Sequence, residues 1–371
     1  MRIAILTYHR AYNCGAMLQA WALKSVLERM GHTVEFPACN HVGEYSRWKN
    51  IIPRNVSLLK KLYVLGVSPL IYAGSFGVAS QSIAGFVKFR EKFLPERVCA
   101  PSEFTKYYDL VIVGSDQVWC ERHSGDDAPL FMGKGIDSTL PMISYAASYG
   151  DSFLNRDAAI KLAEYLNRYT ALSARENIVR TQMKEFGFDD IEVVADPTLL
   201  LGKTDYDAIS TEPDMDGDIL YCYSVSMSRK LMERVRQIAK AVNVKSIVTP
   251  NFIYSRFGAG RGVTFGVSPD KMIGFMKRAK YVVASSFHGT ALAIVHEKPV
   301  ISLRNNIDKY ESRPASLLNR LGMGDRIMHI DAPISDMIDK LQASYPINAK
   351  NDLNAFRAHS IDWLKSSIGK I

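Results

Sequence analysis

Residues 279–296 contain a short apolar run, a polar turn with one histidine, and a second apolar run. Tyr281 to Ala284 is rich in β-branched residues and predicts a buried strand, whereas residues 291–295 are apolar on every side and predict a buried helix. Gly289 lets the backbone turn between them. Because a buried strand followed directly by a buried helix is the repeating unit of α/β proteins, this segment points to an α/β fold.

The same turn marks a candidate site around His288. Ligands of open α/β sheets bind beyond the carboxyl ends of the strands, and the first amides of the next helix attract anions. We therefore expect His288 beside an anion site that includes Ser286, Gly289 and Thr290. The alternative is that His288 is an ordinary core histidine and that Ser286 only caps the helix.

Strand-like runs alternate with helical segments along the first half of the chain. A strand over residues 2–7 precedes a helix over residues 16–30, which ends at Gly31, and a second strand spans residues 33–36. Further short apolar runs, each ending in a polar or glycine-containing turn, lie at residues 109–114, 142–147, 170–175 and 191–197. This alternation predicts a doubly wound, mainly parallel sheet.

The alternation stops at residues 202–218, where six acidic residues are opposed only by Lys203, and we interpret this segment as an interdomain linker. Strand-like and helical runs then resume, which predicts two Rossmann-like domains with a cleft between them. The expected N-terminal domain spans residues 1–205, with a basic insertion at residues 41–100. The expected C-terminal domain spans residues 206–345. Residues 346–371 are expected to form a closing helix that packs back on the N-terminal domain.

The composition is that of a globular protein, with 47% hydrophobic and 23% charged residues. The five cysteines include no C-x-x-C pair and no His/Cys cluster at metal-ligand spacing, so no metal is expected and a reducing cytoplasm fits best. The apolar run at the N-terminus is too short for the core of a signal peptide, so export is not expected.

Most of the net charge of +8 lies in the basic insertion, where nine basic residues face three acidic ones. Residues 62–87 are uncharged, but a proline, glycines and serines interrupt them, whereas a spanning helix needs about 20 mostly apolar residues. Two interpretations stay open: a patch that binds an anionic membrane surface, and soluble helices with a solvated basic face. No recognised binding motif accompanies the charge, so nucleic acid is not an expected partner.

Six short motifs occur at predicted turns along the chain. They are Tyr12–Ala20, Gly114–Trp119, Ser144–Gly150, Ser173–Glu176, Asp196–Leu200 and Ser285–Thr290. In this order and at this spacing they resemble the motifs of the polysaccharide pyruvyl transferase family. The resemblance spans most of the chain and implies a GT-B-like arrangement of the two domains, with the acceptor on the N-terminal side and the donor on the C-terminal side.

The resemblance also implies an activity in cell-surface polysaccharide synthesis, such as capsule or exopolysaccharide. The donor would be phosphoenolpyruvate, which is a co-substrate, so no cofactor is implied. The acceptor would be a sugar diol, which becomes a cyclic pyruvate ketal. We expect a lipid-linked saccharide as acceptor and a cytoplasmic protein, with peripheral binding at the inner face of the cell membrane if the basic insertion contacts lipid.

Such a reaction needs three kinds of group. An acid protonates the methylene carbon of phosphoenolpyruvate, a base accepts protons from the attacking hydroxyls, and cations bind the carboxylate and phosphate. Histidine is the residue type that titrates near neutrality, and His288 matches the histidine of the family, so it is the predicted acid. Asp116 follows a strand and a glycine and is predicted to orient or deprotonate a sugar hydroxyl; its alternative role is a helix N-cap.

Arg175 suits a bidentate contact with the donor's carboxylate or phosphate, although a salt bridge to Glu176 is the alternative. Arg313 is a second candidate for the donor. Some family members carry an arginine two residues before the histidine, where this chain has Ser286. The negative charge of the donor would therefore be bound by Arg175, by Arg313 or by helix amides. The candidates for acceptor binding, or for purely structural turns, are Asn13, Gly15 and Gln117.

Two other functions fit the same architecture. One is a GT-B glycosyltransferase with a nucleotide-sugar donor, against which the series of motifs argues. The other is a non-catalytic homologue that binds glycan. The joint presence of Asp116, Arg175 and His288 argues against this second alternative.

Overall fold

The computed structural model describes residues 1–39, 76–120, 124, 128–150, 154–224, 228–250, 263–264, 268–305 and 313–371. Residues 41–75, which are more than half of the predicted basic insertion, lie outside the described residues. The strands are β1 (Arg2–Leu6), β2 (Thr33–Pro37), β3 (Glu96–Arg97), β4 (Leu110–Val113), β5 (Met142–Ser144), β6 (Ser173–Ala174), β7 (Glu192–Val193), β8 (Ile219–Tyr223), β9 (Ser246–Val248), β10 (Val263–Thr264), β11 (Ala279–Ala284), β12 (Val300–Arg304) and β13 (Ile327–His329).

Helices connect these strands and cover both faces of the sheets. They are α1 (Cys14–Arg29), α2 (Phe76–Phe93), α3 (Phe104–Tyr107), α4 (Ala128–Phe131), α5 (Arg156–Leu166), α6 (Asn177–Lys184), α7 (Pro197–Leu200), α8 (Lys203–Asp207), α9 (Arg229–Ala241), α10 (Pro269–Arg278), α11 (Phe287–Val295), α12 (Arg313–Arg320), α13 (Ile334–Gln342) and α14 (Ile347–Gly369). None of the helices within the described residues is both long and apolar enough to cross a membrane.

The N-terminal sheet is parallel and has the strand order β3-β2-β1-β4-β5. Its central strand β1 is buried on both faces, as the continuous apolar run predicts. Ile3 and Ile5 join one hydrophobic cluster, whereas Ala4 and Leu6 join the cluster on the opposite face. The period of two along a strand explains why one short run feeds two cores.

The C-terminal sheet is also parallel, with the order β10-β9-β8-β11-β12-β13. Both sheets therefore follow the Rossmann pattern, in which the second and third strands lie on one side of the first and the later strands lie on the other. The predicted α/β class with two Rossmann-like domains is confirmed. The boundaries that we placed at residues 205 and 345 stay predictions.

One hydrophobic cluster runs through both sheets. It includes Ile3 of β1, Leu18 of α1, Met272 of α10 and Val282 of β11. The inner helices of the two domains thus share a single apolar interface.

Helix α14 contacts residues that precede the C-terminal sheet. The Ser360 hydroxyl accepts a 2.8 Å hydrogen bond from the Ala195 amide, and Arg357 donates from Nε to the Leu199 carbonyl at 2.7 Å. These contacts attach the last helix to the segment between β7 and α8.

The acidic segment at residues 202–218 is more structured than the predicted linker. Helix α8 lies within it, and Tyr206 of α8 is fully buried with its ring 5.3 Å from the ring of Trp21. The many acidic residues of this segment suggested a linker, although Tyr206 packs in the core. Helix α1 begins two residues earlier than predicted because the side chain of Asn13 accepts hydrogen bonds from the Gly15 and Ala16 amides and caps the helix.

Next to Tyr206 lies His296, the residue that ends α11. Its Nδ1 lies 2.9 Å from the Leu292 carbonyl, and its Nε2 lies 3.8 Å from a carboxylate oxygen of Asp207. Burial lowers the pKa of His296 to about 4, although the contacts with the carbonyl and with Asp207 act in the opposite direction. The folded protein therefore keeps this histidine neutral well below its ordinary titration range.

We predict that His296 destabilises the fold in mild acid. Its ordinary pKa is about 6.5, so between about pH 6.5 and 4 the unfolded chain binds a proton that the folded chain does not, and stability falls as the pH falls through this window. The pKa shift of His296 corresponds to at most roughly 3 kcal/mol. The free energy of unfolding, measured with denaturant, should therefore decrease less between pH 7 and 4 for His296→Asn than for the wild type.

The control is His359→Asn on α14, whose side chain is about half exposed. This variant should follow the wild-type profile. Parallel pH profiles for His296→Asn and the wild type would contradict the prediction.

Candidate active site

The candidate residues gather where each sheet reverses its strand order. In the N-terminal sheet this point lies between β1 and β4, and in the C-terminal sheet between β8 and β11. Ligands of open α/β sheets bind at such reversal points, outside the carboxyl ends of the strands. The two points meet at the domain interface, because residues after β1 touch the last residue of β8 and a residue that follows β11.

His288 is the second residue of α11, two positions after the N-cap Ser286. Its side chain is buried, and its Nε2 lies 3.7 Å from Oδ2 of Asp196 without a hydrogen-bond partner. This separation is longer than a hydrogen bond but within the range of an ion pair when the imidazole is protonated. Placement after a buried strand, at the start of a buried helix, agrees with the sequence-based expectation.

Two glycines bring the domains into direct contact at this point. A Cβ atom on Gly15 would lie only 2.3 Å from Nδ1 of His288, so the imidazole rests on the first turn of α1. A Cβ atom on Gly289 would lie 2.7 Å from the Cβ of Tyr223, at the end of β8. His288 packs against Gly15, and the predicted contact of Gly15 with the acceptor stays a prediction.

Asp196 is the buried partner of His288, and its side chain accepts four hydrogen bonds. Its Oδ2 accepts hydrogen bonds from Arg175 Nη1 at 2.8 Å and from the Ser115 hydroxyl at 2.9 Å, and its Oδ1 accepts from the Thr198 amide and hydroxyl. Burial alone would raise the pKa of Asp196, but its interactions with His288, Arg175 and Thr198 outweigh burial and hold it far below the ordinary range. Asp196 is therefore a carboxylate at neutral pH.

Arg175 lies at the centre of three carboxylates. Its Nε donates to Glu176 at 2.8 Å, its Nη1 donates to Asp196, and its Nη2 lies 3.7 Å from Asp116. Burial acts to lower the pKa of Arg175, yet attraction to these carboxylates outweighs burial and raises it. The salt bridge to Glu176 that the sequence left as the alternative is thus present, and a role of Arg175 in donor binding stays a prediction.

Asp116 follows β4 and faces the same network. Its backbone lies in the left-handed region at φ 73°, its Oδ1 accepts from the Gln117 amide at 2.9 Å, and Nη1 of Arg313 lies 3.9 Å away. No helix begins at Gln117, so the alternative role of Asp116 as an N-cap is not found. The side chain of Gln117 packs against Gly150.

The other predicted groups are occupied within their own turns. Asn13 caps α1, and its Oδ1 also lies 3.5 Å from the Tyr223 hydroxyl. In α11, the Gly289 amide donates to the Ser286 side chain at 3.1 Å, and the Thr290 hydroxyl donates to the Ser286 carbonyl at 3.0 Å. Their predicted contacts with donor or acceptor stay predictions.

Sequence reasoning quoted Asp196 within a motif but assigned it no role, and it also overlooked Ser115 and Tyr223. The signal for Asp196 was present, because it lies three residues after the end of β7 and directly before a proline-initiated helix, as do side chains at the carboxyl edge of a sheet. Within the described residues no set of three or more His, Cys, Asp and Glu side chains is arranged to hold a metal ion. The arrangement supplies one histidine, a fixed counter-charge and nearby arginines, which suits proton transfer to an anionic substrate.

Solved structures similar to the chain confirm the GT-B-like fold. UDP-GlcNAc 2-epimerase from Neisseria meningitidis, bound to UDP-GlcNAc, aligns over 100% of both chains with 12% identity and a TM-score of 0.53. The UDP-N-acetylglucosamine 2-epimerase from Rickettsia bellii aligns over 100% of this chain and 97% of its own, with 10% identity and a TM-score of 0.52. At such identities the likeness concerns the fold alone.

A putative UDP-N-acetylglucosamine 2-epimerase from Listeria monocytogenes gives the same result, with 13% identity, 96% coverage of each chain and a TM-score of 0.51. No curated protein sequence matches the chain. The family model of polysaccharide pyruvyl transferase matches residues 13–307, a range that includes the turns after β4, β6, β7 and β11. The chain therefore belongs to the polysaccharide pyruvyl transferase family.

Proposed function

We propose that this transferase moves the pyruvyl group of phosphoenolpyruvate onto a sugar diol and forms a cyclic ketal during cell-surface polysaccharide synthesis. The observation that carries the proposal is the buried contact between His288 and Asp196 at the junction of the two domains. A protonated imidazole beside a fixed carboxylate is suited to give a proton to a bound anion.

The first half of the proposed reaction uses His288 as acid and Asp116 as base. His288 donates its proton from Nε2 to the methylene carbon of phosphoenolpyruvate, which leaves an oxocarbenium-like centre at the neighbouring carbon. One sugar hydroxyl attacks this centre, and Asp116 accepts the hydroxyl proton. The negative charge of Asp196 stays in place throughout, because its oxygens are hydrogen-bonded to Arg175, Ser115 and Thr198.

The second half closes the ring. The bond between the former enol carbon and the phosphate oxygen breaks, phosphate leaves with the electron pair, and an oxocarbenium-like centre forms again. The second hydroxyl attacks, and its proton goes to the departing phosphate. The products are the cyclic ketal and inorganic phosphate. Carbon and phosphate each gain one proton, and the proton that Asp116 accepted returns through solvent to His288, which restores both residues.

Donor binding is proposed at Arg313, at Nη2 of Arg175 and at the first turn of α11, which includes Ser286, Gly289 and Thr290. Arg313 supports this assignment because it begins α12 beside Asp116 and its side chain is 17% exposed. The acceptor is proposed to lie on the side of Asn13, Gly15 and Gln117. If nucleotide sugars rather than phosphoenolpyruvate raise the melting temperature of the protein, the donor class is wrong and a glycosyltransferase becomes the better assignment.

A lipid-linked acceptor and peripheral membrane binding are part of the proposal. Within the described end of the basic insertion, two arginines have partners inside the protein: Arg97 pairs with Glu35 at 2.6 Å, and Arg90 lies 3.5 Å from Glu96. The proposed lipid contact therefore falls mainly to the basic residues of the remaining part, 41–75.

We predict that the protein binds vesicles that contain anionic lipid and that added salt weakens this binding. Exposed charges are screened over about 8 Å at physiological ionic strength, so sedimentation with vesicles should decrease between low and physiological salt. Vesicles of neutral lipid alone serve as the control. If the protein sediments with neither kind of vesicle at low salt, the proposed membrane contact is excluded.

We predict that His288→Gln loses at least about 10²-fold in turnover, because general acid catalysis typically contributes about 10²–10⁴-fold. Phosphate release from phosphoenolpyruvate in the presence of acceptor measures the loss. His329→Gln, with a side chain that is 41% exposed, is the control and should retain turnover. A folded His288→Gln enzyme with more than about a tenth of wild-type turnover would remove His288 from the role of acid.

We predict that Gly15→Ala lowers turnover while the fold is retained. The added methyl group cannot coexist with the observed position of the His288 ring, so the ring must move, and misplacement by about 1 Å can cost about 10²-fold in rate. Gly369→Ala in α14 is the control, because a Cβ atom there meets nothing within 4 Å. Wild-type turnover in Gly15→Ala would show that the contact with Gly15 does not position His288.

A further inference from the structure

Three groups meet at one oxygen of the Asp196 carboxylate. Oδ2 lies 2.8 Å from Nη1 of Arg175, 2.9 Å from the hydroxyl of Ser115 and 3.7 Å from Nε2 of His288. The first two distances are those of hydrogen bonds, whereas the third is too long for one. His288 is therefore next to the negative charge of Asp196 without being hydrogen-bonded to it.

The donors around Asp196 are as many as its acceptor positions. A carboxylate offers about four lone-pair positions, two on each oxygen. Those of Oδ1 are met by the amide and the hydroxyl of Thr198, at 2.9 and 2.7 Å, and those of Oδ2 by Arg175 and Ser115. Oδ2 has no position left for His288, whose buried Nε2 has no hydrogen-bond partner among the described residues.

Ser115 is the neutral donor of the two on Oδ2, and its own backbone is held in place. Its amide donates to Oε1 of the buried Gln19 at 3.2 Å, and its carbonyl accepts from the Thr7 hydroxyl at 3.0 Å. The Ala146 carbonyl also lies 2.9 Å from the Ser115 hydroxyl. A hydroxyl carries one proton, and a charged acceptor forms the stronger hydrogen bond, so this proton is assigned to Asp196.

The separation between Nε2 and Oδ2 decides where the proton of His288 points. A protonated imidazole has one N–H bond at Nε2, and a hydrogen bond to Oδ2 would direct that N–H toward Asp196. In the proposed reaction the same proton goes to the methylene carbon of phosphoenolpyruvate. A carboxylate that is near but already saturated with donors stabilises the charged ring and leaves its N–H for the substrate.

We propose that Ser115 is a positioning residue that keeps the Nε2 proton of His288 available by occupying Oδ2 of Asp196. The contact among these three side chains stands on the geometry, whereas the use of the proton in pyruvyl transfer rests on the proposed function. Loss of the Ser115 hydroxyl vacates one acceptor position on Oδ2. The ring of His288 then approaches and forms the hydrogen bond that the wild type lacks.

The substitution Ser115→Ala tests the proposal, and Thr198→Val is its matched control. Each removes one hydroxyl that donates to Asp196 from a fully buried side chain, but Thr198 donates to Oδ1, whereas His288 lies at Oδ2. Both variants keep every charged group of the network, namely Asp116, Arg175, Glu176, Asp196 and Arg313.

Two titratable groups on the elements that pack against α11 do not complicate the test. Cys14 on α1 and Tyr223 at the end of β8 stay neutral at the pH of the experiments, because burial raises the pKa of both.

Two measurements report the contact without any turnover. In a crystal structure of Ser115→Ala, the separation between Nε2 and Oδ2 should fall from 3.7 Å to about 3 Å, whereas Thr198→Val should keep the longer separation. In NMR spectra, the signals of His288 are assigned by their loss in His288→Gln. They should titrate at least about half a pH unit higher in Ser115→Ala, because a hydrogen bond to the charged ring favours that form. Thr198→Val should move this titration less.

Turnover provides the third measurement. Under the proposed function, Ser115→Ala should lower kcat at least about tenfold, because a charge-assisted hydrogen bond must break before the proton leaves. The KM for phosphoenolpyruvate should change little, because the predicted donor-binding residues are intact. If Ser115→Ala does not fold, Ser115→Cys replaces it: a thiol of similar size is a weaker donor, so the same changes should appear to a smaller extent.

The inference is overturned if the separation in Ser115→Ala stays near 3.7 Å, or if Thr198→Val moves the titration of His288 as much as Ser115→Ala does. The expected separation and titration without any pyruvyl transfer by the wild type would leave the contact in place and refute the proposed function alone.

Discussion

The negative charge of Asp196 in the interior is the constraint on which the rest of the site depends. A carboxylate with no exposure is tolerated only when it is paired and hydrogen-bonded, and removal of one partner of a buried ion pair typically costs about 3–5 kcal/mol. The four groups around Asp196 are delivered by different turns: Ser115 after β4, Arg175 after β6, Thr198 in α7 and His288 in α11. The turns of both domains must therefore be in place before the charge is compensated.

This constraint changes how Arg175 is interpreted. A substitution of Arg175 by alanine would leave Asp196 and Glu176 buried without their main counter-charge, so loss of activity in such a variant would not distinguish donor binding from structural damage. Arg313 and Arg320 lie nearer the surface of the same region, on one face of α12. Arg313 is the cleaner reporter of anion binding, because it makes none of the hydrogen bonds that compensate the charge of Asp196.

Local sequence patterns were sufficient to predict much of the fold and the place of His288. The spacing of apolar residues predicts which side of a strand or helix is buried, so residues 279–296 predict both elements and the turn between them. The partners of His288 were not predictable in this way, because they lie far apart in the sequence. Ser115 and Asp196 are separated by 81 positions, and Gly15 contacts His288 from the other domain. Helix α8 was missed for the same reason, since only Trp21, far away in sequence, gives Tyr206 a buried environment.

The shared apolar interface and the two glycine contacts connect the chemistry to the packing of the domains. Leu18 of α1 and Met272 of α10 belong to one cluster, so separation of the domains would expose apolar surface that is now buried. The same separation would remove α1 from the face of the His288 ring, because Gly15 belongs to one domain and His288 to the other. Asp196, in turn, is supplied from the N-terminal side. His288 and its counter-charge Asp196 therefore exist as a pair only in the packed arrangement, so under the proposed function proton transfer depends on contact between the domains.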